Sequence, residues 1–158
     1  MILKKAYSEA RKIICVGTKL KRSLCAYVSD PDKVTVIPNF VDTNTFAFSP
    51  HRTEKEKHFT FISIGNLNKR KGFWDLLTAF HWAFKDMPHV SLLIAGDGEE
   101  MQSLKEQIQS LHLEEQVKLT GRLSREELSG LLATCDAFVL ASFAETFGIV
   151  FIEAMATV

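Results

Sequence analysis

The sequence predicts an α/β fold, a Rossmann-like parallel sheet with flanking helices. Three observations carry that prediction. Runs such as FTFISIG (59–65) and HVSLLIAG (89–96) are apolar with little alternation, as strands buried on both faces are. Single stretches of helical period separate these runs, which fits right-handed crossovers between parallel strands. Several runs end in glycine, at Gly17, Gly65, Gly96 and Gly121, and the carboxyl ends of the strands are where sheets of this kind bind ligands.

Each element has its own local reason. KIICVG (12–17) is a short apolar run closed by glycine and reads as a buried strand. TKLKRSLCAYV (18–28) places Leu20, Leu24 and Val28 at helical spacing, with Thr18 as the expected cap. KVTVIP (33–38) is β-branched and stopped by Pro38, a second strand. Residues 39–57 turn polar and hold no period, as a linker does. FTFISIG then opens a stronger rhythm. The helix GFWDLLTAFHWAF follows, with apolar residues at 73, 76, 77, 80 and 84. After the strand HVSLLIAG, EEMQSLKEQIQSL aligns Met101, Leu104, Ile108 and Leu111 on one helical face. QVKLTG is a strand, and SREELSGLLATC a helix opened by a capping box of Ser124 and Glu127. DAFVLAS is the last strand. From Gly148 to Ala156 every residue but Glu153 is apolar or small. A helix apolar all round is expected to be buried.

Composition excludes several classes. Basic and acidic residues number 19 each, which weighs against bulk binding of nucleic acid or membrane surfaces. Cys15, Cys25 and Cys135 are odd in number and lack Cys-x-x-Cys spacing. They read as free buried thiols in a reducing compartment. The N-terminal stretch becomes charged within four residues, unlike a signal peptide, and no run approaches the roughly 18 apolar residues of a membrane span. The expected location is the cytoplasm. The five histidines are scattered without ligand spacing, so no metal site is expected. Trp74 and Trp82, eight apart on one helix, are expected in the core or a domain contact.

Three loops should gather at one sheet edge around one crevice. GNLNKRKG (65–72) joins two glycines with Lys69, Arg70 and Lys71 before a helix, which suits a phosphate or diphosphate, although a solvated basic turn has the same composition. AGDGEE (95–100) has Met101 where a dinucleotide fingerprint needs a third glycine, so it reads as a tight turn into a helix and not as an NAD site. ASFAETFG (141–148) leads into the apolar helix and carries Glu145. A lone acid such as Glu153 in such a helix is either paired or used. It suits acceptance of hydrogen bonds from ribose hydroxyls, with a surface-seeking or lysine-paired carboxylate as the alternative.

The stretches VTVIPNFVDTNTF, ISIGNLNKRKGFWDLLTAF, LLIAGDGEE, VKLTGRLSREELSGLLATCDAFVLAS and ETFGIVFIEAMA together resemble the retaining GT-B glycosyltransferases of the group 1 class. They follow the family order and cover nearly the whole chain, with the Glu-x7-Glu spacing of Glu145 and Glu153 as the most specific feature. The resemblance implies that residues 1–38 end an N-terminal, acceptor-side domain and that 39–57 link it to a donor-binding domain over 58–158. It implies that this domain is incomplete at its end, with an exposed sheet edge open to self-association, and that the piece alone is inactive. It implies transfer of a sugar from a nucleotide-diphosphate donor to a hydroxyl of a glycan, lipid-linked or small-molecule acceptor, with retention. Polysaccharide or glycolipid synthesis is the expected setting, peripheral membrane association of the complete protein is compatible with it, and neither metal nor nucleic acid is required. Lys71 and Glu145 are the implied catalytic residues. Lys71 matches the lysine on the donor diphosphate, and Glu145 the acid beside the sugar. Gly65, Asn66, Thr146 and the backbone N–H groups of Phe147, Gly148 and Ile149 fall among the implied donor contacts. Gly121, Arg122 and Leu123 match the loop near the base, and Glu153 the ribose acid. Asn66 stands where the family usually has arginine. A nucleotide-sugar epimerase of the same fold, or a non-catalytic nucleotide-sugar-binding half, remain alternatives.

Overall fold

The computed structural model describes residues 2–47, 58–145 and 147–157. The chain forms two compact units, one of residues up to 40 with 145–149, the other of residues 41–144 with 150 onward.

The first unit begins with a helix that the sequence reading did not assign, α1 (Ile2–Glu9). Strand β1 (Ile13–Cys15), helix α2 (Thr18–Cys25) and strand β2 (Val34–Val36) follow. The two strands pair in parallel, Ile13 opposite Val34 and Cys15 opposite Val36, so α2 is the crossover that parallel pairing requires. Thr18 is not the cap of α2. It is already helical, the cap position falls on extended Gly17, and no side chain bonds the helix end.

The second unit is a four-stranded parallel sheet of β3 (Phe59–Ile64), β4 (Val90–Ala95), β5 (Val117–Gly121) and β6 (Ala137–Phe138), in the order β5-β4-β3-β6. Its helices are α3 (Phe73–Phe84), α4 (Met101–Ser110), α5 (Arg125–Leu132) and α6 (Ile149–Ala156). The chain adds β4 and β5 on one side of β3 and then returns to add β6 on the other. The switch of direction therefore lies between β3 and β6. The expected strand over DAFVLAS pairs only at 137–138, flanked by bonds from Asp136 N–H to the Thr60 carbonyl and from Val139 N–H to the Ile62 carbonyl. Beyond that point Phe143 N–H and the Ser142 hydroxyl both donate to the Arg70 carbonyl, at 2.9 and 3.2 Å, and the chain leaves the ladder to meet that loop.

Each face of the sheet has its own core. On one, Phe73, Leu76, Leu77 and Phe80 of α3 pack with Leu104 and Ile108 of α4 against Leu92 and Ile94. On the other, Phe46, Ile62, Ile64, Ala95, Leu132 and Ala154 form a second cluster. Phe46, from the stretch read as linker, is fully buried there; residues 48–57 of that stretch lie outside the described residues. The amide of Gln107 ties α4 to α3, donating to the Trp74 carbonyl and the Thr78 hydroxyl, each at 3.0 Å.

Several expectations about burial fail, among them that of a buried strand over KIICVG, since Ile14 is 65% exposed. Trp74 and Trp82 are 49% and 73% exposed and so are not core residues, because the buried stripe of α3 runs through 73, 76, 77 and 80 and leaves positions 74 and 82 outward, where a domain contact would have to be made. Of the cysteines only Cys15 is buried, the others being partly covered. Helix α6 is not buried all round: Ile149, Phe151 and Met155 are exposed, while Glu153 and Ala154 are its buried residues.

Candidate functional site

At the carboxyl ends of β3, β4 and β5 lies a pocket of about 530 Å³, lined by Ile64, Gly65 and Asn66, by Ala95 to Gly98, and by Arg122, Leu123 and Leu128. Its size suits a small-molecule ligand. The walls come from backbone packed closely on backbone. Gly96 has φ 147°, and a Cβ there would collide with the Gly65 carbonyl oxygen. A Cβ on Gly98 would strike the Leu67 carbonyl and the Asn66 side chain. Hydrogen bonds hold the approach: Gly65 N–H to the Ala95 carbonyl at 3.0 Å, Leu67 N–H to Asp97 at 2.9 Å, and Gly96 N–H to Gly121 at 2.9 Å. AGDGEE is thus a tight turn, as its composition suggests, and also a wall of the pocket.

The basic loop sits beside it. Lys69–Lys71 forms a 3-10 turn ended by left-handed Gly72, φ 66°, which packs so tightly on the Ala141 backbone that any side chain would collide. The stem of Lys71 lies 3.6 Å from where a Cβ of Gly65 would stand, placing its aliphatic part over the pocket wall. The loops after β3 and β4 meet through residues 65–67 and 96–98, and residues 141–143 of the loop after β6 meet the first of these at 70–72. Of the predicted third loop, the part from Glu145 falls in the first unit, and none of its described residues is among those lining the pocket.

The predicted site residues divide into groups. Gly65, Asn66, Arg122 and Leu123 share the pocket, with Lys71 beside Gly65 and Gly121 bonded to Gly96. Glu145, Phe147, Gly148 and Ile149 belong to the first unit; there Glu145 is exposed and Gly148 takes φ 72°. Thr146 lies outside the described residues. Glu153 is 5% exposed and its Oε1 accepts from Arg125 Nη2 at 3.1 Å. Burial pushes its carboxyl above the ordinary value, and the Arg125 charge partly opposes that. Arg125 was missed in the sequence. The signal was a cation directly after the Ser124 cap, where the helix dipole disfavours it. The capping box itself is present, with Glu127 N–H donating to the Ser124 hydroxyl at 3.1 Å and Ser124 N–H to Glu127 at 2.7 Å.

Among the described residues no group of three or more His, Cys, Asp or Glu is arranged to hold a metal ion, and no helix is long and apolar enough to cross a membrane.

The family profile described as glycosyl transferases group 1 matches residues 45–157, and that of glycosyltransferase family 4 matches residues 1–45. The chain belongs to the group 1 glycosyl transferases. It is 33% identical over 156 residues to the alpha-monoglucosyldiacylglycerol synthase of Streptococcus pneumoniae, covering 92% of this chain and 35% of that protein. It is 29% identical over 150 residues to the phosphatidylinositol N-acetylglucosaminyltransferase GPI3 subunit of Saccharomyces cerevisiae, covering 90% of this chain and 33% of the relative. The chain thus spans about a third of the length of these curated relatives. The crystal structure of Anabaena HepE in complex with UDP and glucose superposes with a TM-score of 0.78 at 27% identity, over 93% of this chain and 42% of that one. The pneumococcal O-GlcNAc transferase GtfA, in complex with UDP and GlcNAc, gives 0.77 at 25% identity, over 93% and 28%. These matches bear out the Rossmann-like, GT-B assignment read from the sequence.

Proposed function

We propose that this chain carries the donor side of a retaining glycosyltransferase that moves a sugar from a nucleotide diphosphate to an acceptor hydroxyl. The observation that carries the reading is the pocket at the carboxyl ends of β3–β5, walled by glycine backbone and flanked by Lys71, in a chain of this family. Glycine walls admit a flat base and a diphosphate close to the backbone. Lys71 supplies positive charge where the leaving diphosphate gathers negative charge, and stabilisation of developing charge is commonly the largest catalytic effect. Glu145 sits beside the donor sugar and positions it, Glu153 accepts from the ribose hydroxyls, and the N–H groups at 147–149 hold phosphate oxygens. Asn66 replaces the usual arginine, so the diphosphate relies on Lys71 with Lys69 or Arg70. No divalent metal takes part. UDP is the nucleotide bound in HepE and GtfA, which makes a UDP-sugar the first donor to test. The names of the two curated relatives denote a glycolipid synthase and an enzyme acting on phosphatidylinositol, which supports a lipid-linked acceptor.

The test is transfer by the full protein with UDP-sugars and lipid acceptors, the product anomer being read by NMR. Lys71→Ala should lower kcat by about a hundredfold or more and leave the fold unchanged. An inverted product, or full activity in the Lys71 variant, would overturn the mechanism. Loss of activity on chelation would overturn its independence of metal.

A further inference from the structure

The surroundings of Glu153 contain an element that the donor site has no other use for. Arg125 is 59% exposed, yet its guanidinium is held on two sides. Nη2 bonds Glu153 Oε1 at 3.1 Å, and the charge lies 5.2 Å from the centre of the Phe46 ring. Phe46 is fully buried in the cluster that includes Ile64, Ala95 and, at its margin, Leu123 and Leu128, all of which line the pocket. Arg125 is thus anchored to the same packed layer as the pocket and lies two residues beyond Leu123. The other nearby acid, Asp42, is engaged elsewhere, accepting from Asn44 N–H at 2.9 Å and from the Thr45 hydroxyl at 3.0 Å. Among the described residues no protein donor meets Glu153 Oε2.

A ribose presents two adjacent hydroxyl donors, which need an oriented, ionised acceptor. Without a partner, a carboxylate at this buried position would have no bond to fix which oxygen it presents, and burial favours its neutral form. The pair with Arg125 counters both effects. We infer that Arg125 is a positioning residue for the donor's ribose: it pins Glu153 Oε1 and leaves Oε2 to accept from the ribose hydroxyls. The inference rests on the assignment of Glu153 to ribose. It goes further in naming the residue on which that recognition depends, one that sits outside the pocket wall.

Calorimetry on the full protein separates the two claims. UDP, ADP and GDP are titrated first, and the tightest is then compared with its 2′,3′-dideoxy analogue. The wild type should prefer the ribose form by about tenfold, the loss expected for a charge-assisted hydrogen bond. Arg125→Met should reduce that preference about fivefold, leave the dideoxy affinity unchanged, and lower the melting temperature at neutral pH, because the buried Glu153 carboxylate loses the charge that offsets its burial. Arg125→Lys, which keeps the charge and loses the planar fork, should restore part of the preference. If no nucleotide binds, or the wild type shows no preference, the ribose role of Glu153 falls and this inference falls with it. If the wild type discriminates and Arg125→Met discriminates equally, the role of Arg125 alone is overturned. Tighter binding of the ribose form by Arg125→Met would overturn it too, since Arg125 would then be a competitor for the carboxylate.

Discussion

Helices α4 and α6 pack on opposite faces of the same sheet, and their sequences declare their orientation very differently. In α4 the apolar residues fall on one stripe, Leu104 and Ile108 are buried, and Met101 and Leu111 pack at the margin. In α6 almost every residue is apolar, so composition marks no face. The structure turns inward the stripe of Val150, Glu153, Ala154 and Thr157, at spacings of three and four, and leaves Phe151 and Met155 outside. The polar residue is on the inner side and the large apolar ones are on the outer side. Periodicity in polarity encodes a face; greasiness alone encodes only that some face is buried.

Substitutions sharpen the contrast. The largest effect should come from Leu104→Ala in α4, a fully buried side chain, at about 2–5 kcal/mol in denaturant unfolding. Ala154→Leu should cost about 1–3 kcal/mol by overpacking the inner stripe of α6; a neutral result would mean that this stripe is not the packed one. Glu153→Gln should act in the opposite direction at neutral pH. A carboxyl raised above its ordinary 4.5 takes up its proton in the folded chain before the unfolded one, so its ionisation opposes folding. That penalty is absent below the unfolded value, grows as pH rises through the folded one, and is constant above it. The glutamine variant should therefore melt higher than the wild type at pH 7, by about 1 kcal/mol or less, and the gain should vanish near pH 4. Arg125 is exposed enough to tolerate losing its partner. The smallest effect should come from Met155→Glu, within about 0.5 kcal/mol of the wild type, since Met155 is 75% exposed. A large loss there would show that the outer side of α6 is packed in solution.

The same contrast explains what the sequence made legible. The unalternating strands, the amphipathic α3 and α4 and the capping box of α5 were readable because each rests on local spacing. The meeting of the loops after β3 and β4, and of residues 141–143 with the first of these, was readable because parallel topology requires it. Phe46 was not, since its burial depends on a sheet face more than a dozen residues further along. Arg125 was not, because an ion pair between the first turn of α5 and the middle of α6 leaves no periodic trace in either helix. The outward tryptophans of α3 misled for a related reason: large aromatic side chains suggest burial, while the stripe through 73, 76, 77 and 80 had already fixed the orientation.

The contacts of Gly96 and Gly98 with the loop after β3 bear on how such a site can diversify. Where two backbones touch with nothing between them, that surface is the same for any sequence that folds this way, and a substitution there can only push the loops apart. Heritable change in what the pocket prefers is thereby channelled to its rim, to the exposed positions Asn66, Asp97 and Arg122. New specificities would be reached by exchanging side chains over an invariant floor.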